Sequence, residues 1–173
     1  MKISQYPKLY VRKKQMFHMN EIHYCAPGHI FCRANKILLA VDGSEGSARA
    51  ATVAFEVAEM TKSKLFILHV IPTPIVSQVA LMSDGNVDEI LSKYSKKGEL
   101  LLEGVKAAAK DYNLDVELIL DKGSPSDRIL AQIGELGVDL VVIGSRGATG
   151  RRKGLGSSVE RVTENIDVPV LVV

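Results

Sequence analysis

Lys36-Ile37-Leu38-Leu39-Ala40-Val41-Asp42-Gly43-Ser44 is the stretch that decides the architecture. Its unbroken apolar run suits a strand covered on both faces, as strands of parallel sheets are. Asp42-Gly43-Ser44 then ends the run with turn-forming residues. Behind the break, Ala50, Val53, Ala54, Val57 and Ala58 recur at helical spacing to about Lys62. A strand followed by a helix is half of a βαβ unit, and the pattern continues along the chain.

Leu65-Phe66-Ile67-Leu68-His69-Val70 reads as a second buried strand, Val116 to Leu120 as a third, Asp139-Leu140-Val141-Val142-Ile143 as a fourth and Val168 to Val173 as a fifth. Between the second and third, Val87, Ile90, Leu91, Tyr94, Leu101, Val105, Ala108 and Tyr112 fall on one face of a long helix. Ser124 is placed as an N-cap, with Pro125 at the first helical position and Asp127 at the positive end of the dipole. Ile129, Leu130, Ile133 and Leu136 form that helix's apolar stripe, and Gly137 suits its exit. A last helix is expected from Ser157 to Asn165. Pro72, Pro74 and Asp84-Gly85 predict a loop over Ile71 to Asn86, with an apolar centre at Val79 to Met82 fit for a lid or a contact surface.

Right-handed crossovers with helices on both faces make the sheet grow outward from strand one through strands two and three. It then returns to the other side of strand one for strand four. The expected fold is therefore α/β, an open parallel five-stranded sheet in the order 3-2-1-4-5, with its switch point between strands one and four. Pro169 lacks an N–H for a ladder and places strand five at an edge.

The chain has 173 residues, enough for one domain, and 46% hydrophobic against 24% charged residues is a globular balance. No apolar run reaches the roughly 20 residues of a membrane span, and no secretory h-region follows the N-terminus, so a cytoplasmic location without membrane contact is expected. The net charge of +2 is unevenly spread. Lys2, Lys8, Arg12, Lys13, Lys14 and Arg33 against Glu21 give residues 1–35 a net +5, which leaves −3 for the remainder. An acidic body excludes a broad nucleic-acid surface. Residues 1–34 read as a basic, irregular extension and 35–173 as the domain. Within the extension, His23, Cys25, His29 and Cys32 carry zinc-ligand chemistry but match no finger or ribbon spacing, and a solvated basic tail is the reading preferred over a metal site.

Of fourteen glycines, Gly144, Gly147, Gly150, Gly154 and Gly156 lie between strand four and the last helix, among Arg146, Arg151, Arg152 and Lys153. Glycines let backbone N–H groups face an anion without a side chain in the way, and a helix beginning at Ser157 or Ser158 presents unsatisfied N–H groups. This is the composition of a phosphate cradle. It is also that of a solvated surface loop. Across the switch point, Asp42 would face the cradle, placed to bind ribose hydroxyls or a metal ion on the phosphates. Asp42-Gly43-Ser44 is equally good turn chemistry with no ligand.

Ala40-Val41-Asp42-Gly43-Ser44, Leu68-His69-Val70-Ile71, Gly144-Ser145-Arg146-Gly147, Gly156-Ser157 and Val168-Pro169-Val170-Leu171-Val172 together resemble the universal stress protein family, over about Asn35 to Val173. The resemblance implies a Rossmann-like fold of the adenine nucleotide alpha hydrolase type. It also implies a stress-response regulatory protein that binds ATP or another adenine nucleotide, with Mg or Mn as the accompanying metal. On this basis Val41 and Val70 line the adenine pocket, with Ala40 and Ile143 completing the site. Asp42 sits by the ribose and phosphates, and Gly144, Gly147, Gly156, Ser157 and Ser158 hold the phosphates. A homodimer through strand 168–173 is implied as well. The family's nucleotide-binding members place nine residues between the second and third glycines of this motif, and here eight separate Gly147 from Gly156. Gly154 and Gly156 are the residues that can absorb the difference.

Competing chemistries lack their motifs. There is no Walker A pattern, dinucleotide fingerprint or Gly-x-Ser-x-Gly elbow. His69, within a buried-strand pattern, reads as a satisfied structural histidine and not a catalytic one. Two alternatives stand beside the nucleotide-dependent switch. One is a family member that has lost nucleotide binding and acts as an interaction module; the other is a slow ATPase using Asp42 and a divalent metal.

Overall fold

The structure, a computed structural model, describes residues 34–147 and 154–173. The candidate ligands His23, Cys25, His29 and Cys32, together with Gly150, Arg151, Arg152 and Lys153, lie outside the described residues. In chain order the elements are β1 (Lys36–Ala40), α1 (Glu45–Thr61), β2 (Lys64–Pro72), α2 (Thr73–Ser83), α3 (Val87–Ala108), a 3-10 turn (Lys110–Tyr112), β3 (Val116–Gly123), α4 (Pro125–Leu136), β4 (Leu140–Ile143), α5 (Ser157–Glu164) and β5 (Val170–Val172). The strands form one sheet in the order β3-β2-β1-β4-β5, as expected from the crossover rule, and every pair is parallel.

Side chains alternate across the sheet and so divide its apolar residues between two layers. Ile37, Leu39, Leu65, Ile67, Leu140 and Val142 face α1 and α3, packing with Ala50, Ala54, Phe55 and Leu102. On the other face Leu38, Phe66, Leu68, Val141 and Ile143 meet Ile129 and Ile133 of α4 and Val159 and Val162 of α5. Ile37, Leu39, Ile67, Val141 and Val142 are fully excluded from solvent. Register ties Ala40 to Leu68 on one side and to Ile143 on the other, so the central strand ends level with both neighbours.

Ser44 caps α1, its hydroxyl oxygen accepting from the N–H of Ser47 at 3.1 Å. Gly137 leaves α4 at φ +59°, the left-handed exit expected of it. Ser124 occupies the N-cap position of α4, but its hydroxyl lies 3.4 Å from that of Ser126 and makes no side-chain cap. Strand β3 runs on to Gly123, beyond the expected end at Leu120.

The stretch expected to be a loop is instead the end of β2 and a helix, α2. Its prolines are the reason the sequence misleads. Pro74 lies in the first helical turn, where a missing N–H costs nothing, so it starts the helix and does not break it. Val76 and Ala80, one turn apart, are buried, while Ile75, Leu81 and Met82 remain exposed. Asp84 ends the helix at φ 49°.

Candidate functional site

The crevice beyond the carboxyl ends of β1 and β4 is built by contacts too close for any residue larger than glycine. A Cβ at Gly144 would lie 2.6 Å from the carbonyl carbon of Gly46 and 2.8 Å from the nitrogen of Ser47. A Cβ at Gly46 would in turn lie 2.6 Å from the carbonyl oxygen of Arg146. The start of α1 therefore rests directly on the loop leaving β4. The Ser44 hydroxyl adds a hydrogen bond to the Arg146 carbonyl at 3.3 Å. Gly46 and Ser44 were not singled out as site residues from the sequence; periodicity reports which face a residue occupies, not which backbone it touches.

Asp42 follows from this packing. One carboxylate oxygen, Oδ1, accepts from the Ser44 N–H at 3.0 Å, an Asx turn that orients the side chain. The other, Oδ2, lies where a Cβ on Gly147 would come within 2.7 Å. The expected juxtaposition of Asp42 with the glycine loop is thus present. Gly147 is exposed, and its lack of a side chain is what lets the carboxylate approach it.

Gly156 returns the loop to this point despite the shortened spacing. Its N–H donates to the Ser145 carbonyl at 2.9 Å, and a Cβ there would sit 3.7 Å from the nitrogen of Gly147. Gly154 has φ +116°, a backbone that only glycine adopts freely. Gly156 is the N-cap of α5 and supplies no capping side chain of its own to the first N–H groups of the helix. Ser157 is exposed and Ser158 half-buried in that first turn.

The expected adenine-side residues divide between the two faces of the sheet. Ala40, Val70 and Ile143 belong to the α4 and α5 layer, and Ala40 and Ile143 are register partners. The Val41 side chain packs in the opposite layer, with α1 and α3. The Val41 backbone is tied to β2: its N–H donates to the Leu68 carbonyl at 2.9 Å, and its carbonyl accepts from Nδ1 of His69 at 2.8 Å. His69 is thereby a satisfied histidine. A further link was not legible beforehand. The Ser145 N–H donates to the Val173 carbonyl at 2.6 Å and joins the glycine loop to the end of β5.

Among the described residues, the carboxyl group held away from its ordinary pKa lies elsewhere, on Asp121 at the end of β3. Burial acts to raise its pKa, but hydrogen bonds from Arg128 at 2.8 Å, the Lys122 backbone at 2.7 Å and Gln132 at 3.0 Å outweigh burial and hold it below the ordinary range. Shallow depressions along α3 are lined by that helix alone, through Lys96, Glu99, Leu100 and Glu103 and through Asp88, Glu89, Ser92, Lys93 and Lys96. They bring no second element's chemistry together. Among the described residues no group of three His, Cys, Asp or Glu side chains is arranged to hold a metal, and no helix is long and apolar enough to cross a membrane.

The sequence model of the universal stress protein family matches residues 34–173, the whole of this sheet and its helices. The chain belongs to the universal stress protein family. A Bacillus subtilis universal stress protein is 35% identical over 145 residues, covering 80% of this chain and 98% of the relative. A solved Methanocaldococcus jannaschii universal stress protein superposes with a TM-score of 0.67 at 28% identity, covering 81% of this chain and 95% of its own. Two further family structures share the fold. One, in complex with cAMP, has a TM-score of 0.57 at 24% identity and covers 81% of this chain and 96% of its own. The other, from Arabidopsis thaliana with AMP bound, has a TM-score of 0.56 at 21% identity and covers 80% and 90%.

Proposed function

We propose that this stress-response family member binds an adenine nucleotide, ATP in the first instance, in the crevice between β1 and β4. The observation that carries the reading is the Asp42 carboxylate held against Gly147 with no room for a Cβ between them. That approach sets a carboxylate suited to ribose hydroxyls or a phosphate-bound Mg or Mn beside a glycine loop whose N–H groups suit phosphate oxygens. The cAMP and AMP held by the two family structures support an adenine nucleotide as the ligand class.

In this reading the N–H groups of Gly147, Ser157 and Ser158 donate to phosphate oxygens, helped by the positive end of the α5 dipole, while the Gly156 N–H, bonded to the Ser145 carbonyl, holds the loop in place. Asp42 accepts from ribose hydroxyls or completes the coordination of the metal, which when bound neutralises phosphate charge. Ala40, Val70 and Ile143 form the apolar floor beneath the base. The occupied loop then presents a different surface from the empty one, which is how a binding protein acts as a switch in a homodimer joined along β5. A family member without nucleotide, acting as an interaction module, is the second reading. The eight-residue spacing from Gly147 to Gly156 and the exposed Leu81 and Met82 favour it.

Freshly purified protein, denatured and analysed by mass spectrometry, is expected to release an adenine nucleotide. Calorimetry on nucleotide-free protein separates the roles of Asp42. Asp42→Ala should weaken ATP binding only with magnesium or manganese if the carboxylate serves the metal, and equally without them if it serves the ribose. Wild-type protein that binds no ATP at millimolar concentration would leave the interaction module.

A further inference from the structure

Where β1 and β2 part, a side chain stands in the place of a backbone donor. The parallel ladder pairs Ala40 with Leu68, and the Val41 N–H still donates to the Leu68 carbonyl at 2.9 Å. In a parallel pair the next bond in this series would run from the Val70 N–H to the Val41 carbonyl. Here the Val41 carbonyl accepts from the imidazole of His69 at 2.8 Å. A carbonyl can only accept, so Nδ1 of His69 carries the proton.

The ring is held from behind as well. A Cβ on Gly98 of α3 would lie 2.7 Å from Cδ2 of His69 and 2.7 Å from Cδ1 of Leu120. Gly98 is buried, so α3 passes over the ring at a distance only glycine allows. His69 is therefore clamped between a helix and the last peptide before Asp42.

We propose that His69 is the positioning residue of the nucleotide site: its Nδ1–H holds the Val41 carbonyl, turns β1 away from β2 and so sets Asp42 against Gly147. The inference rests on the nucleotide-binding reading above for its functional consequence, but the geometry it describes exists without ligand. Fixing the Val41–Asp42 peptide fixes the origin of the Asx turn in which Oδ1 of Asp42 accepts from Ser44. It also keeps the Val41 carbonyl from closing onto the Val70 N–H, which would extend the ladder by one bond and draw the start of the Asp42 turn toward β2, away from β4. Loss of the imidazole donor would thus act on the site twice, by loosening the carboxylate and by drawing it away from Gly147.

Three variants test this in two measurements. His69→Phe keeps a ring of similar size and removes the donor, His69→Asn places an amide N–H near the position of Nδ1, and Gly98→Ala pushes the ring from behind. In nucleotide-free protein, nuclear magnetic resonance should show His69 as the neutral tautomer or cation protonated at Nδ1. The amides of Gly43 and Ser44 should shift and exchange faster in His69→Phe and Gly98→Ala but stay close to wild type in His69→Asn. Calorimetry with ATP should show roughly tenfold weaker binding for His69→Phe and recovery to within about threefold for His69→Asn, the scale of one net hydrogen bond. A packing role alone predicts the reverse order, because Phe fills an apolar site better than Asn does. Unchanged Gly43 and Ser44 amides in His69→Phe, or equal ATP affinity in His69→Phe and wild type, would overturn the inference. Wild-type protein that binds no ATP while its amides respond as described would overturn the function proposed above and leave His69 as the holder of the Asp42 turn.

Discussion

Gly144 and Gly147 belong to one short motif, yet the atoms around them assign them different work. An added Cβ at Gly144 meets the backbone of Gly46 and Ser47, which cannot move without shifting the start of α1. At Gly147 it meets Oδ2 of Asp42, a side-chain atom and not backbone. Gly144→Ala should therefore lower stability by about 2 kcal/mol, the usual cost of forcing atoms into a packed interior. Gly147→Ala should leave the thermal midpoint nearly unchanged and weaken ATP binding at least tenfold, because it displaces the carboxylate and fills the gap. Denaturant melts and calorimetry on the two variants distinguish these outcomes. Equal stability losses would mean that Gly147 is as structural as Gly144. The sequence identifies both as glycines of a phosphate-type loop but cannot rank them, since the difference lies in which atoms of α1 approach them across about a hundred residues of chain. Asp42 was legible because the crossover rule alone brings the ends of β1 and β4 together. The bond from His69 to Val41 was not, because a histidine in an apolar run can find any of several carbonyls.

At the scale of elements, what is legible follows periodicity and what is not follows local exceptions to it. Apolar runs and stripes are enough for five strands, four of the helices and the sheet order, because burial on two faces leaves no other pattern. Helix α2 escapes because proline signals a break everywhere except in a first turn, which is where Pro74 falls. The tie between β3 and α4 is another tertiary feature hidden from the sequence. Asp121 accepts from Arg128 and Gln132, and the lowered pKa of Asp121 makes that tie sensitive to acid. A carboxyl with a depressed folded-state pKa contributes stability above its unfolded value near 3.9, and this contribution is lost as pH falls through the lower folded value. Wild-type protein should therefore lose stability below about pH 4 faster than Arg128→Met, whose Asp121 lacks its main partner. The difference in thermal midpoint between the two should be full at pH 6 and should shrink toward pH 2. A difference independent of pH would mean that Arg128 stabilises through its aliphatic stem and not through the ion pair.

The molecule as a whole poses two questions, what it can lose and what it joins. Both core layers are assembled from residues 34 onward, with Ala34 itself buried and its carbonyl accepting from the Ser63 hydroxyl at 2.8 Å. Deletion of residues 1–33 is therefore expected to leave the thermal midpoint within about 3 °C, less than ~1 kcal/mol for a chain of this size, and ATP affinity unchanged. Zinc at one equivalent per full-length chain, lost with the deletion, would instead give the histidines and cysteines of the extension a metal role. Association is expected at the other end of the chain, along β5. The Val141 N–H donates to Pro169 and the Val173 N–H to Ile143, each at 3.0 Å, so Pro169 and Val173 face β4. Because backbone groups alternate in direction along a strand, those of Val170 and Val172 point away from the sheet, at its open edge. Half-buried valines beside unpaired N–H and C=O groups form a surface that a second β5 can complete. Light scattering at micromolar concentration should give a mass near twice 18.8 kDa. Val172→Pro removes one outward N–H and spares every bond to β4, since proline is tolerated at a sheet edge. That variant should return the mass to a single chain with its fold intact. A wild-type monomer would refute association, and a dimer that survives Val172→Pro would place the interface on another surface, with the exposed Leu81 and Met82 of α2 the next to test.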